Sequence, residues 1–560
     1  MNNKLTGMAG MPPTMMKPAM PISPYPTFPR KREKGQSNRC ASHTLTVALL
    51  ATGLLAACAA GPDYQQPKME LPENWSTKNR AIGDGSAGAG AMKQGELQQG
   101  ASAPVAAPTV ATQTTSHAGE RWWSLYADPV LDKLEDEAKA HNADAQVAVA
   151  RVLAARAQLG LSEADQYPAL SANAKDSRTR VTAAGASPLP ATVPRTQNDI
   201  RATLDASYEL DLWGKFRRAS EASRAELLSA EASRDAAYLS LSAQVAQQYF
   251  ALLAYDAQEV VLRRALAGRQ EMIALDKKRV EVGVLSAYDM HQAEADEAAI
   301  RSQLAALAQA RDKQEAALVL LLGRSPREVM NSVVDRGTLA QAPVLALANV
   351  WVPDGLPADL LLRRPDLQAA EQHLVSLNAR IGAARAQYFP SLTLTSYLGS
   401  ESAALSNLFT GPAGIFQFAA GISQPIFNAG RVGYMVDAAA ANRDLALAQY
   451  RQAVASAFAD VRNALSAQAA ARQILDAETA RTAALSQADK QAEIRYKVGL
   501  SSRLEVLDVE RNYLLAELNR VDAQRAQRAA VADLFKALGG GWTPASDTQK
   551  TGMAKPVEQR

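Results

Sequence analysis

Proline is absent from Gly214 to Ser325 and again from Ile426 to Thr543. Proline removes a backbone donor and clashes with the preceding helical turn, so such runs leave a helix free to continue. Glycine is sparse in both runs and falls at matching places, Gly283 and Gly499. The first run therefore predicts one helix from Lys215 to about Val282, a turn near Gly283 and a returning helix. The second predicts the same arrangement around Gly499. At 1.5 Å per residue the first helix is ~100 Å long. A rod of that length does not fit inside a compact domain, so it reaches across something. Composition agrees with closely packed rods: 47% of residues are hydrophobic, much of that alanine, and only 6% are aromatic. Val454, Phe458, Val461 and Leu465 alternate steps of four and three, which is a heptad-like seam.

The body of the chain is a duplication. Arg279-Val-Glu-Val-Gly283 aligns with Arg495-Tyr-Lys-Val-Gly499, and at the same offset Asp289 meets Glu505 and Gly214-Lys215 meets Gly430-Arg431. Upstream, Tyr167-Pro168-Ala-Leu170 answers Phe389-Pro390-Ser-Leu392, with a longer intervening segment in the first unit. The period is too long for a solenoid repeat, and it points to whole-unit duplication with internal pseudo-symmetry. Each unit also holds a strand pair. From Ile200 to Leu212 apolar residues occupy the even positions and polar ones the odd, a period-2 signal. Leu170, Ala172 and Ala174 follow Pro168 more weakly; Leu392 and Leu394 are answered by Phe416, Phe418, Ala420 and Ile422. The long alternation suits a tilted membrane strand. Two hairpins cannot close a barrel, and a membrane sheet leaves no edge in lipid, so spanning requires oligomerisation.

The N-terminal segment reads as an export signal with an extended leader over residues 1–57. A basic cluster, Arg30, Lys31, Arg32, Lys34 and Arg39, precedes an apolar run from Leu45 to Ala57. That run is too short to span a bilayer as a helix. It ends in Leu55-Ala56-Ala57-Cys58, which resembles a bacterial lipobox and implies lipidation of Cys58. The two cysteines, Cys40 and Cys58, exclude a disulfide framework or a cysteine metal site in the body. Sixty basic against 57 acidic residues argue against a nucleic-acid binder. Ser76–Gly119 is a compositional linker.

Several stretches identify the chain as similar to the outer-membrane factors of tripartite efflux pumps, the TolC superfamily, and most to its NodT/OprM-like lipoprotein branch. They are Cys58-Ala-Ala-Gly-Pro-Asp-Tyr64, Trp122-Trp123-Ser-Leu-Tyr126-Ala-Asp-Pro129, Tyr208-Glu-Leu-Asp-Leu-Trp-Gly-Lys215, Leu356-Pro-Ala-Asp-Leu-Leu-Leu-Arg363-Arg-Pro-Asp366 and Ala537-Leu-Gly-Gly-Gly-Trp542. The resemblance implies a mainly α protein with a membrane β-barrel. Three copies would close twelve strands in the outer membrane, over an α-helical tunnel through the periplasm. It divides the chain into a lipidated N-terminus and linker (58–121), a first repeat (122–323, strand pair 168–212), an equatorial insertion (324–360), a second repeat (361–541, strand pair 390–427) and a tail (542–560). The implied partners are a periplasmic adaptor, an inner-membrane transporter and outer-membrane lipid. The implied function is passive export of drugs or other small toxic compounds from periplasm to exterior.

The sequence offers no catalytic constellation, metal-ligand spacing or cofactor motif. Pro365 and Asp366 suit a helix start, with Arg363 and Arg364 pairing to carboxylates. The informative polar residues follow Gly499. Leu504 and Asp508 lie on one helix face, and by resemblance they sit at a periplasmic constriction. Threefold symmetry would make of them a leucine ring and a carboxylate ring that block by dewetting and select cations. Arg511 is placed to pair with an acid and hold the tip shut. Asp289 and Gln292 occupy the matching turn of the first unit. Two other readings fit an exported helical chain: a periplasmic adaptor, expected to carry one helical hairpin between β domains, and a structural coiled-coil lipoprotein, expected to lack membrane strands.

Overall fold

The computed structural model describes residues 60–67, 121–182, 190, 192–331, 334–336 and 364–540, all within the compact unit Cys58–Arg560. The export signal, Cys58, the Ser76–Gly119 linker, most of the 324–360 insertion and the 542–560 tail lie outside the described residues. After a 3₁₀ turn, Trp122–Tyr126, come α1 (Pro129–His141), α2 (Ala143–Ala164), β1 (Ala169–Arg180), β2 (Thr196–Leu210), α3 (Lys215–Glu281) and α4 (Ala287–Leu321). A short α5 (Pro326–Asn331) precedes α6 (Pro365–Ala386), β3 (Ser391–Ser402), β4 (Gly414–Ser423), α7 (Arg431–Lys497) and α8 (Arg503–Ala537).

The duplication is visible element by element. Helices α2 and α6 have 22 residues each, α3 and α7 have 67, and α4 and α8 have 35. Gly214 and Gly430 precede the long helices with φ of 78° and 80°, a left-handed conformation that glycine adopts without steric cost. Helix α6 begins with Pro365 at its first position. Its cap residue Arg364 reaches Asp366 (2.8 Å), Asp460 (3.3 Å) and the Ala537 carbonyl (2.9 Å), so it ties α6 to both α7 and α8.

The helices pack through small residues. On α7 the buried positions include Val454, Ala457, Val461 and Ala464. The expected seam through Phe458 and Leu465 is displaced: both are half-buried and flank the seam. Alanine at the contact lets two rods approach closely, and the larger side chains fill the gap beside it. A second core gathers Trp122, Tyr249, Phe250, Leu252 and Leu318 where the 3₁₀ turn and α1 lie against α3.

The four strands form one antiparallel sheet in the order β1-β2-β3-β4, so the two units join through β2 and β3. Strand β2 begins four residues before the expected Ile200 and stops at Leu210, short of the expected Leu212. The Asp211 carboxylate instead accepts from the Arg217 backbone N–H (2.8 Å) and opens the turn into α3. The register sets Ala172 opposite Leu204, Leu204 opposite Leu398, and Leu398 opposite Phe416. Even residues of β2 therefore share one apolar face with their partners, and Leu204 (63%), Leu398 (64%) and Phe416 (72%) lie open on it. The opposite face carries Asn173, Thr203 and Asp205, hydrogen-bonded to one another. Among the described residues neither β1 nor β4 has a second strand neighbour. Among the described residues no helix is long and apolar enough to cross a membrane.

Candidate functional site at the helical tips

Both long helices end in the same device. Gly283 donates to the Val280 carbonyl (3.0 Å) and Val284 to that of Arg279 (2.8 Å). Gly499 and Leu500 repeat this with Tyr496 (3.0 Å) and Arg495 (2.8 Å). These crossed bonds form a Schellman motif, which needs a left-handed residue, and Gly283 and Gly499 have φ of 76° and 78°. The next helix starts almost at once. The Ser286 hydroxyl accepts from the Tyr288 N–H, and that of Ser502 from Glu505. Such N-caps satisfy otherwise orphaned donors, and the chain reverses within a few residues.

Helix α8 presents two faces just past this turn. Arg503, Val506 and Leu507 are buried against the other helices. Leu504, Asp508, Arg511 and Leu515 form an exposed stripe at steps of four, three and four. Leu504 is 53% exposed, and Asp508 accepts from the Asn512 amide (3.2 Å). Arg511 pairs with Asp296 of α4 at 2.9 Å, so the expected acidic partner exists and belongs to the other hairpin. Asp289 lies in the first turn of α4, where its charge complements the helix dipole. Asp289 and Gln292 are half-buried, and the structure draws neither into the Leu504–Asp508 stripe.

Sequence reasoning missed the group beneath the stripe. Asp276 of α3 is fully buried (0%) and faces Arg503 of α8 (3%), with Nε 3.3 Å from Oδ2. Arg279 lies 3.9 Å from the same carboxylate and donates to the Tyr496 hydroxyl at 3.0 Å. The Arg279 and Arg503 guanidinium groups flank the Tyr496 ring at 5.5 and 5.7 Å. Farther along the seam Arg269 pairs with Glu510 (2.6 Å) and Arg264 with Glu517. These contacts join residues far apart in sequence on three helices, and no local spacing signals them. Asp489 of α7 sits beside this seam. Burial, followed by the nearby Glu510, Glu493 and Glu517, pushes its carboxyl up, and Arg269 opposes the shift.

The Asp276–Arg503 pair matches charge without using its hydrogen-bonding capacity. Neither Asp276 oxygen, nor any guanidinium nitrogen of Arg503, makes a well-directed hydrogen bond. A buried pair left in that condition gains little over its desolvation cost, yet removing one partner strands a buried charge.

At the other end of the rods, Trp213 stacks on Phe389 (4.6 Å between centroids) and donates to the Pro390 carbonyl at 2.8 Å. The strap 60–67 is pinned here. Ala60 donates to the Trp213 carbonyl (3.0 Å), Asn378 to that of Pro62 (3.0 Å), and Asp63 pairs with Arg218 (2.5 Å). A Cβ on Gly61 would lie 2.4 Å from the Gly382 Cα, so the strap runs in direct backbone contact with α6.

A sequence profile described as outer membrane efflux protein matches residues 134–324 and 356–540, which span both helical hairpins and the four described strands. The chain belongs to the outer membrane efflux protein family. It is similar to the probable efflux pump outer membrane protein TtgC of Pseudomonas putida, with 32% identity over 497 residues, covering 87% of this chain and 94% of that one. It is also 32% identical over 495 residues to the probable outer membrane lipoprotein SilC of Salmonella typhimurium, covering 87% and 97%. Among solved structures, the CmeC outer membrane channel of Campylobacter jejuni superposes with a TM-score of 0.73 at 26% identity, covering 81% of this chain and 97% of that one. The protein is thus an outer-membrane efflux channel extending into the periplasm, and not an enzyme. Family members are trimeric channels that work with adaptor and inner-membrane pump components. The adaptor and structural-lipoprotein readings are set aside.

Proposed function

We propose that this channel is a homotrimeric exit duct, anchored by a lipid on Cys58 and closed at its periplasmic tip by rings of Leu504 and Asp508. Its cargo is drugs or other small toxic compounds, delivered by an inner-membrane transporter through a periplasmic adaptor. The observation that carries the gate is the exposed Leu504–Asp508–Arg511 stripe lying directly over the buried Asp276–Arg503 pair. The stripe has no apolar cover among the described residues, and threefold symmetry would turn it toward a common axis. There three leucines repel water and three carboxylates favour cations. The pair beneath ties α8 to α3, and Arg511–Asp296 adds a second tie between the hairpins. Opening breaks these ties, so it requires contacts made only in the open state.

Other features support the partners. Val282, Val284, Tyr288, Val498 and Leu500 are exposed around the two turns, an apolar rim of the kind that marks a protein contact. The adaptor's helical tips would settle there. Cys58 is two residues upstream of Ala60, where the pinned strap begins. A lipid on Cys58 would enter the membrane beside the aromatic layer of Trp213 and Phe389. The outward face of Leu204, Leu398 and Phe416 would meet the same lipid.

Planar-bilayer recording of the purified protein, alongside its oligomeric mass, tests the gate. The expected outcome is a trimer that conducts weakly and prefers cations. Leu504→Ser with Asp508→Ala should raise conductance and weaken the preference. A double variant that still forms trimers but conducts like wild type places the constriction elsewhere. Mass spectrometry of the mature N-terminal peptide tests the anchor, and an unmodified Cys58 removes it from the proposal.

A further inference from the structure

Helices α2 and α6 correspond in the duplication, as do α3 and α7, yet a face that is covered in one pair stands open in the other. Within the chain α6 lies along α3, and Arg218, Ala222, Ala225, Ser229 and Ala232 of α3 are buried. Their counterparts on α7 are Tyr434, Ala438, Ala441, Leu445 and Ala448, and every one is exposed. Tyr434 (72%) and Leu445 (57%) are large side chains left open. Helix α2 has the matching gap. Ala369 and Gly382 of α6 are buried, whereas Val147 (48%) and Gly160, which answer them on α2, are exposed. Exposed apolar side chains on facing elements mark a contact with another molecule.

Gly160 makes the contrast specific. Glycine within a helix is destabilising relative to alanine, so its place needs a reason. At Gly382 the reason is visible: an added Cβ would lie 2.6 Å from the Ala60 carbonyl oxygen of the strap and 3.0 Å from Cγ of Arg218. An added Cβ at Gly160 would meet nothing within 4 Å among the described residues. Helix α2 also lacks the hooks for a strap of its own. Asn378 and Glu371, which hold the strap by hydrogen bonds, are answered by Arg156 and Val149.

The places of both helices in the chain say what covers them. Helix α2 leads into β1 and α7 follows β4, and β1 and β4 are the outer strands of the sheet. In a ring of copies β1 stands beside the β4 of the next, which brings α2 alongside that copy's α7. Head-to-tail contacts of this kind close into rings. We propose, resting on the trimer reading above, that α2 of each copy packs along α7 of the next. Tyr434 of the partner subunit sits on Gly160, and Leu445 of the partner subunit sits on Val147. The tyrosine ring takes the space that the strap and Arg218 share over Gly382. Apolar contact at Val147 replaces the hydrogen bond that the Ser229 hydroxyl donates to the Ala369 carbonyl (2.8 Å). From Gly160 to Val147 the seam runs about 20 Å along α2. Where His373 meets Glu226 at 3.3 Å, the new seam sets Arg151 against Asn442 of the partner subunit, so no like charges oppose.

Thiol cross-linking of the full chain in detergent tests this, with a short bismaleimide as probe. Val147→Cys and Leu445→Cys chains, carrying different tags and expressed together, should cross-link to each other. The double variant should give covalent trimers on denaturing gels. Val147→Cys with Ile494→Cys, at the far end of α7, should give none, and neither should the parent chain, which controls for Cys58. Gly160→Leu extends into open space within one chain and favours the helix. It should nevertheless lower the trimer fraction about tenfold, because overpacking a filled contact is costly. Tyr434→Ala in the same chain should restore assembly by making room. Trimers by mass that show no Val147–Leu445 cross-link overturn the proposal and leave the trimer reading standing. Assembly unaffected by Gly160→Leu, or a defect that Tyr434→Ala does not relieve, also overturns it. A monomer by mass overturns both.

Discussion

The two helical hairpins share lengths, turn geometry and capping serines, yet the buried pair is drawn once from each and repeated in neither. By the internal alignment Arg503 of the second hairpin corresponds to Ala287 of the first, and Asp276 of the first corresponds to Ala492 of the second. The seam between α3 and α8 holds Asp276–Arg503, Arg269–Glu510 and Arg264–Glu517. The pseudo-equivalent seam, α7 against α4, would carry Ala492 and Ala287. In the proposed trimer that second seam falls between neighbouring copies. Duplication thus produced two similar surfaces, and divergence left the buried Asp276–Arg503 pair in only one of them; at the positions of the other two pairs the second carries Leu485 with Glu294 and Ala480 with Arg301.

The largest effect should come from cutting the tied seam. Arg503→Ala or Asp276→Ala strands a buried charge, which costs about 3–5 kcal/mol. Either variant should open the tip, seen as higher single-channel conductance in trimers of normal mass. The double variant Asp276→Ala with Arg503→Ala should be milder than either single one, since neither charge is left alone. If the singles leave conductance unchanged, the pair is not a lock.

The comparison can also be sharpened by giving the second seam the buried pair of the first. Ala287→Arg with Ala492→Asp should tie neighbouring copies and resist opening. Efflux in cells should fall while the resting trimer remains intact. Unaltered efflux with confirmed assembly would argue that the second seam has no part in opening.

A smaller contrast concerns the stripes. Tyr288→Ser with Gln292→Ala changes, in the first hairpin, the positions matching Leu504 and Asp508. Bilayer conductance and ion preference should stay near wild type, because the proposed constriction is on α8. Arg511→Ala should act more weakly than Arg503→Ala. Its ion pair with Asp296 is 49% exposed on the arginine side, and such pairs contribute about 0.2–1 kcal/mol.

The smallest effect is a pH dependence. The folded state raises the Asp489 carboxyl, so folding binds a proton there that the unfolded chain releases. Tip stability should therefore fall as pH rises from the ordinary aspartate range through the raised value, and recover on acidification. Asp489→Asn should flatten that slope in hydrogen-exchange measurements on the tip amides. A slope of unchanged size would assign it to other groups.

Much of this architecture was legible because it rests on residues with strong local consequences. The proline-free runs predicted both long helices, Gly283 and Gly499 marked their ends, and the alternation after Ile200 revealed a two-faced strand. What escaped depended on partners distant in sequence. The seam runs through Ala457 and Ala464, not Phe458, because the closest approach selects the smallest side chain, and hydrophobicity alone ranks phenylalanine higher. Leu504 and Asp508 were legible as a stripe, whereas Asp276, Arg503 and Tyr496 come together only when three helices are packed.

The free edges of β1 and β4 have a genetic consequence. In a closed ring every β1 is answered by a neighbour's β4, so no copy completes its own membrane portion. A subunit with one spoiled edge, for example by proline within β4, would damage the closure of its neighbours as well as its own. Cells expressing such a variant beside the normal protein should lose more channels than the variant's share of subunits accounts for. The defect would be inherited as dominant, although the protein's activity is passive and no reaction is being poisoned.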